Sequence, residues 1–283
     1  RRQRQMCIRD RIVPDATLDE LGISSVDLVQ VMFQVEEEFD VYLADEEVGV
    51  DTQNVGQLLD AVEKLIAEKA ASGRIIMHRV VITGVGCLSP LGHSAPEHMA
   101  ASRAGKTGVA LSTAIDPEKL QCKYVAEVKN FDPADHLDKK VVSMVDRFAA
   151  LALVASNEAI ADSGLSFDEE LSEQTAVVLG SGVGGITTVD DNFLRLYGEG
   201  AKRLHPFVIP KLMANAASSQ ITMMHGIKGP AWSVASACSS ANHAISNAFT
   251  MVRSGQTRVA ITGGTESCIT LGTMKGWEAL RVM

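Results

Sequence analysis

The stretch GPAWSVASACSSANHAISNAF, residues 229–249, decides the fold. A short β-branched run, AWSVASA at 231–237, leads to a single thiol, Cys238. After it comes a long segment of small side chains, SSANHAISNAFTMVRSG at 239–255. Its one formal charge, Arg253, stands just before Gly255, where the helix dipole favours a cation and a glycine can end the helix. The stretch therefore reads as strand, turn, helix. Ala, Ser and Asn on every face predict a helix buried with neighbours close on all sides. Cys238 stands at its N-terminus, where unpaired amides and the dipole favour a thiolate, and is the candidate nucleophile. His243 is five positions on, about 140° round the helix from Cys238, and is read as a core histidine. A base must come from elsewhere, and none of the other histidines, at 78, 93, 98, 136, 205 and 225, has a sequence context that nominates it.

Working outward, RVVITGVG (79–86), TAVVLG (175–180) and RVAITGG (258–264) read as further strands, and MVDRFAALALVASNEAIADSG (144–164) as a helix. Strands alternating with helices predict an α/β fold with largely parallel strands. GSGVGG at 180–185 follows a strand and satisfies the dinucleotide-binding pattern literally. That reading needs a second strand ending in an acid about twenty residues on, and NFLRLYGEGAKRLHPF (192–207) is no such strand. The glycines are read as a turn that lets backbone approach backbone.

At 283 residues and 46% hydrophobic content the chain is expected to hold more than one core. No window approaches eighteen consecutive apolar residues and the N-terminus lacks a signal peptide's apolar run, so a cytoplasmic protein without membrane insertion is expected. The cysteines at 7, 87, 122, 238 and 268 form no CxxC pair, which argues against a metal site or a disulfide framework. Charge is uneven. Residues 1–11 hold five Arg and one Asp, residues 12–71 hold fifteen acids and two Lys, and residues 72–283 balance. That break marks a boundary between domains. Residues 1–11, RRQRQMCIRDR, show no period and are set aside as an artefact or a disordered lead, not a nucleic-acid arm.

Residues 12–70 read as a small all-α bundle: Leu28, Val31, Met32, Val35 and Phe39 recur at helical spacing, and VGQLLDAVEKLIAEKA (55–70) repeats it. In LGISSVDL (21–28), Ser24 can cap the first of these helices with Asp27 at its third position, which leaves Ser25 exposed in the first turn. The cap alone would explain these residues. Residues 71–78 read as a linker, and Met77 stands before a strand as a start codon would, so two adjacent coding units joined in one chain are expected.

Two resemblances follow. The segment 12–70 resembles an acyl carrier protein, and Ser25 matches the serine that bears phosphopantetheine. Ser24 stands where that family has aspartate and Val26 where it has leucine. Residues 79–283 resemble a β-ketoacyl-acyl carrier protein synthase of the thiolase-like superfamily, closest to the nodulation-type branch. The motifs for the family are RVVITGVGCLSPLG (79–92), GSGVGG, SACSSANHA and VAITGGTES (259–267), and those that resemble the nodulation-type branch are NHAISNA with GWEALRVM (276–283).

The second resemblance implies the N-terminal half of a layered αβαβα fold, with Cys238 as the active-site cysteine. It implies a decarboxylative Claisen condensation of an acyl-enzyme with malonyl-carrier, with the Cys238 amide as half of the oxyanion hole. It also implies an acyl pocket bordered by Val183, Gly184 and Gly185, and a carrier-docking region at Lys139, Lys140, Lys202 and Arg203. The partners are acyl carrier protein and its acyl and malonyl thioesters, in a homodimer. The family's second half brings two catalytic histidines, a lysine and the other oxyanion amide, and this sequence stops at Met283 before them. As written the chain is expected not to condense. The alternative is a non-enzymatic acyl carrier protein with an inert C-terminal segment.

Overall fold

In this computed structural model the described residues are 13, 15–17, 21–22, 30, 54–57, 59–60, 62–64 and 77–281. The chain divides into two compact units, Arg1–Ile76 and Met77–Met283. In the first, residues 55–57, 59–60 and 62–64 are helical, within the span whose period predicts a helix. Asn54 starts it, its Oδ1 accepting the Gln57 amide at 2.9 Å, the bond an N-cap side chain makes. The Val55 amide donates to the Ala16 carbonyl at 3.1 Å, and both residues are buried. Residues 1–11 and linker residues 71–76 lie outside the described residues, as does the helix expected from Leu28 to Phe39 apart from Gln30.

The second unit runs α1 (Ala95–Arg103), β1 (Val109–Leu111), β2 (Tyr124–Ala126), α2 (Lys139–Met144), α3 (Arg147–Ser163), α4 (Glu169–Glu173), β3 (Thr175–Gly180) and α5 (Ile186–Phe193). A π-helical turn, Leu194–Gly198, follows, then α6 (Val208–Leu212), α7 (Ala216–His225), β4 (Ala231–Val234), α8 (Ser240–Arg253), β5 (Val259–Gly264) and α9 (Leu271–Ala279). β1 and β2 pair antiparallel, while β3 lies between β4 and β5, parallel to both. Val177 pairs with Ala231 on one side and with Ile261 on the other.

Every residue of β3 is buried, as a parallel strand covered on both faces must be, and this is why TAVVLG is apolar without alternation. Its side chains still alternate in direction. Val177 and Leu179 join Phe148 and Leu153 of α3 and Ala217 and Ile221 of α7 in one core. Ala176 and Val178 join Ala244, Ala248 and Met251 of α8 in the other. The result is a sheet with helices on both faces, the α/β arrangement the sequence pattern predicts. α3 is delimited by local chemistry: the Asp146 carboxylate accepts the Phe148 amide at 3.1 Å, and Gly164 ends the helix at φ 65°.

Two expectations are corrected. Residues 79–86 form no strand. The end of the segment is held by α3 instead: the Val85 amide donates to Asp162 at 2.9 Å, and that of Cys87, just after it, to Glu158 at 2.8 Å. Gly84 and Gly86 allow this, since a Cβ on either would overlap the carbonyl oxygens of Ala159 and Ala155. Ile82, 86% exposed, is left in solvent. Nor is α8 buried all round. Ser240, Ala244, Ala248 and Met251, spaced by threes and fours, face the sheet, whereas His243, Ile245 and Phe249 are exposed. His243 is therefore not a core histidine, because the 3.6-residue period turns it off the face that Ala244 occupies.

Candidate active site

β3, β4 and β5 are parallel, so their carboxyl ends, Gly180, Val234 and Gly264, lie on one edge of the sheet. In open α/β sheets that edge is where loops build sites. The loop after β4 carries Cys238, an exposed thiol just ahead of α8. The glycines ending β3 and β5 make room for it. A Cβ on Gly180 would overlap the backbone of Ser240 and Ala241, and one on Gly264 would come within 2.6 Å of the Ala241 Cβ. Only bare backbone lets the start of α8 rest on the strand ends.

The turn itself is strained and braced. Ala237 has φ +51°, in the left-handed region that a residue with a Cβ enters at a cost. Buried Ser240 holds it: its hydroxyl donates to the Ala237 carbonyl at 2.6 Å and accepts the Ser236 amide at 2.9 Å. The Ser239 amide donates to the Ser236 carbonyl and the Ser240 amide to the Ala237 carbonyl, both at 3.1 Å. The thiol is thus presented to solvent at the positive end of a fourteen-residue helix.

The glycine loop after β3 packs beside this turn. A Cβ on Gly182 would lie 3.7 Å from the Ala237 carbonyl oxygen. The three glycine amides of the loop are engaged: Gly182 donates to Glu266 Oε2 at 2.7 Å, Gly184 to Ser181 Oγ at 3.0 Å and Gly185 to the Leu212 carbonyl at 3.2 Å. None of these three is left to cradle a pyrophosphate, which is the physical reason the dinucleotide pattern is a decoy here. Val183 is 47% exposed. Gly184, at φ +60°, lies against Ala214, and Gly185 against Lys211 and Leu212. A cavity of about 990 Å³ is lined by Glu127, Arg147, Asp191, Ser267 and Leu271 among others, and neither Cys238 nor Val183 is among its lining residues.

Glu266 was not singled out from the sequence. Besides Gly182 it accepts the Ser181 hydroxyl at 3.2 Å. The available signal was an acid two positions after an apolar strand that ends in two glycines. Asp146 was missed as well: 2% exposed, it caps α3 and also accepts the Thr188 amide at 2.7 Å and hydroxyl at 2.6 Å, tying α5 to α3. Its capping role was open to a sequence reading, but not its second partner.

Five of the seven histidines have side-chain partners of their own. His93 Nε2 meets the Lys129 carbonyl at 2.8 Å, His98 Nδ1 the Ser89 hydroxyl at 2.7 Å, and His225 Nε2 the Asn157 Oδ1 at 2.9 Å. Burial pushes the His225 pKa down. His136 stacks on Phe131, and His205 Nδ1 accepts the Phe207 amide. None of these contacts involves Cys238. Lys139 and Lys140 begin α2, and Lys202 and Arg203 lie between the π-helical turn and α6. All four are exposed and make no ion pair among the described residues. Burial pushes the thiols of Cys87 and Cys268 up, aided at Cys268 by the charge of Glu266. Ser25, Ser24 and Asp27 lie outside the described residues. Among the described residues no helix is long and apolar enough to cross a membrane, and no group of His, Cys, Asp and Glu could hold a metal ion.

Comparison with known proteins matches residues 77–283 to the family described as "Beta-ketoacyl synthase, N-terminal domain" and residues 5–62 to that described as "Phosphopantetheine attachment site". The 3-oxoacyl-[acyl-carrier-protein] synthase 2 of Staphylococcus aureus (strain COL) is 37% identical over 205 residues, 72% of this chain and 50% of that protein. The chain thus spans about half the length of the curated relatives it matches. Among solved structures, the ishigamide ketosynthase/chain length factor superposes with TM-score 0.65 at 24% identity, covering 73% of this chain and 52% of that one. A type II PKS acyl-carrier protein in complex with its ketosynthase bound to the hexaketide gives 0.60 at 20% identity, covering 70% and 53%.

Proposed function

Because the chain belongs to the β-ketoacyl synthase family, we propose that Cys238 is the acyl acceptor of a decarboxylative Claisen condensation in fatty-acid or polyketide-type chain elongation. The observation that supports it is the exposed thiol on a strained, serine-braced turn at a helix N-terminus. In the first step the Cys238 sulfur attacks the carbonyl carbon of a carrier-bound acyl thioester, and the carrier thiol leaves with the proton. The Cys238 amide stabilises the developing oxyanion. In the second, malonyl-carrier loses carbon dioxide, and its enolate attacks the acyl-enzyme carbonyl and releases Cys238. The family assigns decarboxylation to histidines, and the histidine contacts described above do not reach Cys238. The step proposed for this chain's own residues is therefore acyl transfer. The test is intact-protein mass spectrometry after incubation with an octanoyl-carrier thioester. One octanoyl group should appear, and none in Cys238→Ala; an equal gain in both would sink the assignment.

The domain boundaries proposed are 12–70 for the carrier, 71–78 for the linker and 79–283 for the enzyme part. Val183, Gly184 and Gly185 are proposed to border the acyl pocket, and Lys139, Lys140, Lys202 and Arg203 to receive the carrier, in a homodimer in the cytoplasm. The exposure of those four cations and the acidity of residues 12–71 support the docking assignment.

A second reading, a non-enzymatic carrier with an inert C-terminal segment, is favoured by the match over residues 5–62. In both, Ser25 is proposed as the attachment residue. When bound, phosphopantetheine supplies the flexible thiol on which an acyl group travels. Incubation with coenzyme A and a pantetheinyl transferase should add one phosphopantetheine, and Ser25→Ala should abolish the gain. Modification at Ser25 together with an inert Cys238 would favour the second reading.

A further inference from the structure

Glu266 is an exposed carboxylate, and its bonds reach the glycine loop that packs beside the Cys238 turn. Oε2 accepts the Gly182 amide at 2.7 Å, and Oε1 accepts the Ser181 hydroxyl at 3.2 Å. That hydroxyl in turn accepts the Gly184 amide at 3.0 Å. One side chain therefore sets the conformation of 181–184, across 84 residues of sequence. Its own backbone is anchored just before it, where the Thr265 amide donates to the Gly180 carbonyl at 3.0 Å and the Thr265 hydroxyl to the Phe148 carbonyl at 2.6 Å. The loop so held abuts the turn, with the Cβ position of Gly182 3.8 Å from the Ala237 Cα.

A short loop between a strand and a helix ordinarily satisfies its amides internally or in water. Here the central amide is given to a distant charged group, and hydrogen bonds to an ionised acceptor are the strong kind. From this geometry we infer that Glu266 is a positioning residue for acyl transfer. It clamps Gly182 and Val183 as a fixed wall beside Cys238, so that the wall guides the acyl chain and the loop cannot swing over the thiol. This role rests on Cys238 being the acyl acceptor.

The test uses the full chain and three probes: octanoyl-carrier thioester, acetyl-carrier thioester and iodoacetamide. Glu266→Gln keeps one accepting oxygen and Glu266→Ala keeps none. The expected result is octanoyl transfer to Cys238 slowed about tenfold in Glu266→Ala and less in Glu266→Gln, the size set by one charge-assisted hydrogen bond. Acetyl transfer should fall by less than about threefold, and iodoacetamide labelling of Cys238 should stay within about twofold, because neither needs the wall. Amide exchange at Gly182 should accelerate in both variants while exchange in β3 is unchanged. If all three probes slow together, Glu266 is merely structural. If octanoyl transfer or Gly182 exchange is unaffected, the clamp does not exist. A wild-type chain that takes up no acyl group overturns the acyl-acceptor reading and this use of Glu266 with it. Equal transfer by wild type and variants overturns only the role of Glu266.

Discussion

Gly180 and Ser240 meet backbone to backbone: a side-chain carbon on the glycine would overlap the serine's carbonyl carbon. The contact joins the end of the central strand to the start of the helix behind Cys238. Gly180→Ala must push the two apart, and overpacking of this kind costs about 1–3 kcal/mol. Urea unfolding should record that loss, and iodoacetamide labelling of Cys238 should change rate because its turn moves. A variant as stable as the wild type would show that the helix can shift freely.

The thiols should separate by environment. Burial raises the pKa of Cys87 and Cys268, whereas Cys238 is exposed. With limiting iodoacetamide near pH 7.5, peptide mapping should find Cys238 labelled before either. Raising the pH should bring the other two in, since each must lose its proton to react. Early labelling of Cys268 would contradict the burial described.

Glu127 predicts an acid-dependent stability. Burial opposes its charge, but the Ala114 amide, the Thr113 hydroxyl and amide and the Ser112 hydroxyl, at 2.7 to 3.0 Å, outweigh it and hold the carboxyl below the usual range. A folded pKa below the unfolded value of about 4.3 contributes stability that is complete above that pH and is lost as pH falls through the folded value. Glu127→Gln should therefore cost about 2 kcal/mol at pH 7. The gap to wild type should begin to narrow as pH falls below the unfolded value and close only once it has passed the lower folded one. A gap independent of pH would mean that charge is not what Glu127 contributes.

Asp146 serves two helices at once, through Phe148 in α3 and Thr188 in α5. Asp146→Ala leaves buried donors unpaired and should cost about 2–4 kcal/mol. Asp146→Asn, which keeps an accepting oxygen, should recover part of it. Equal losses in thermal unfolding would point to charge, not hydrogen bonding, as the operative property.

What could be read from the chain alone was what near neighbours in sequence enforce. The junction at Cys238, the helix ended by Gly164, the apolar β3 and the glycine loop each announce themselves within a few residues, because caps, strand burial and turns are local. Three features were not local. RVVITGVG has a strand's composition, yet the acceptors that the Val85 and Cys87 amides meet at its end are the Asp162 and Glu158 side chains of α3, more than seventy positions on. The small residues of α8 permit burial on any face, and only the sheet's position selects Ala244 and Ala248 over His243. Glu266 reads as one more surface acid until the fold brings Gly182 to it.

The sequence by itself determined the class of the fold, the family and the thiol, since period, turn chemistry and motif order are written along the chain. Tertiary structure alone decided which acceptor each loop amide finds and which side of a helix meets solvent. Those outcomes depend on distances between residues that the chain separates by dozens of positions, and no local pattern records them.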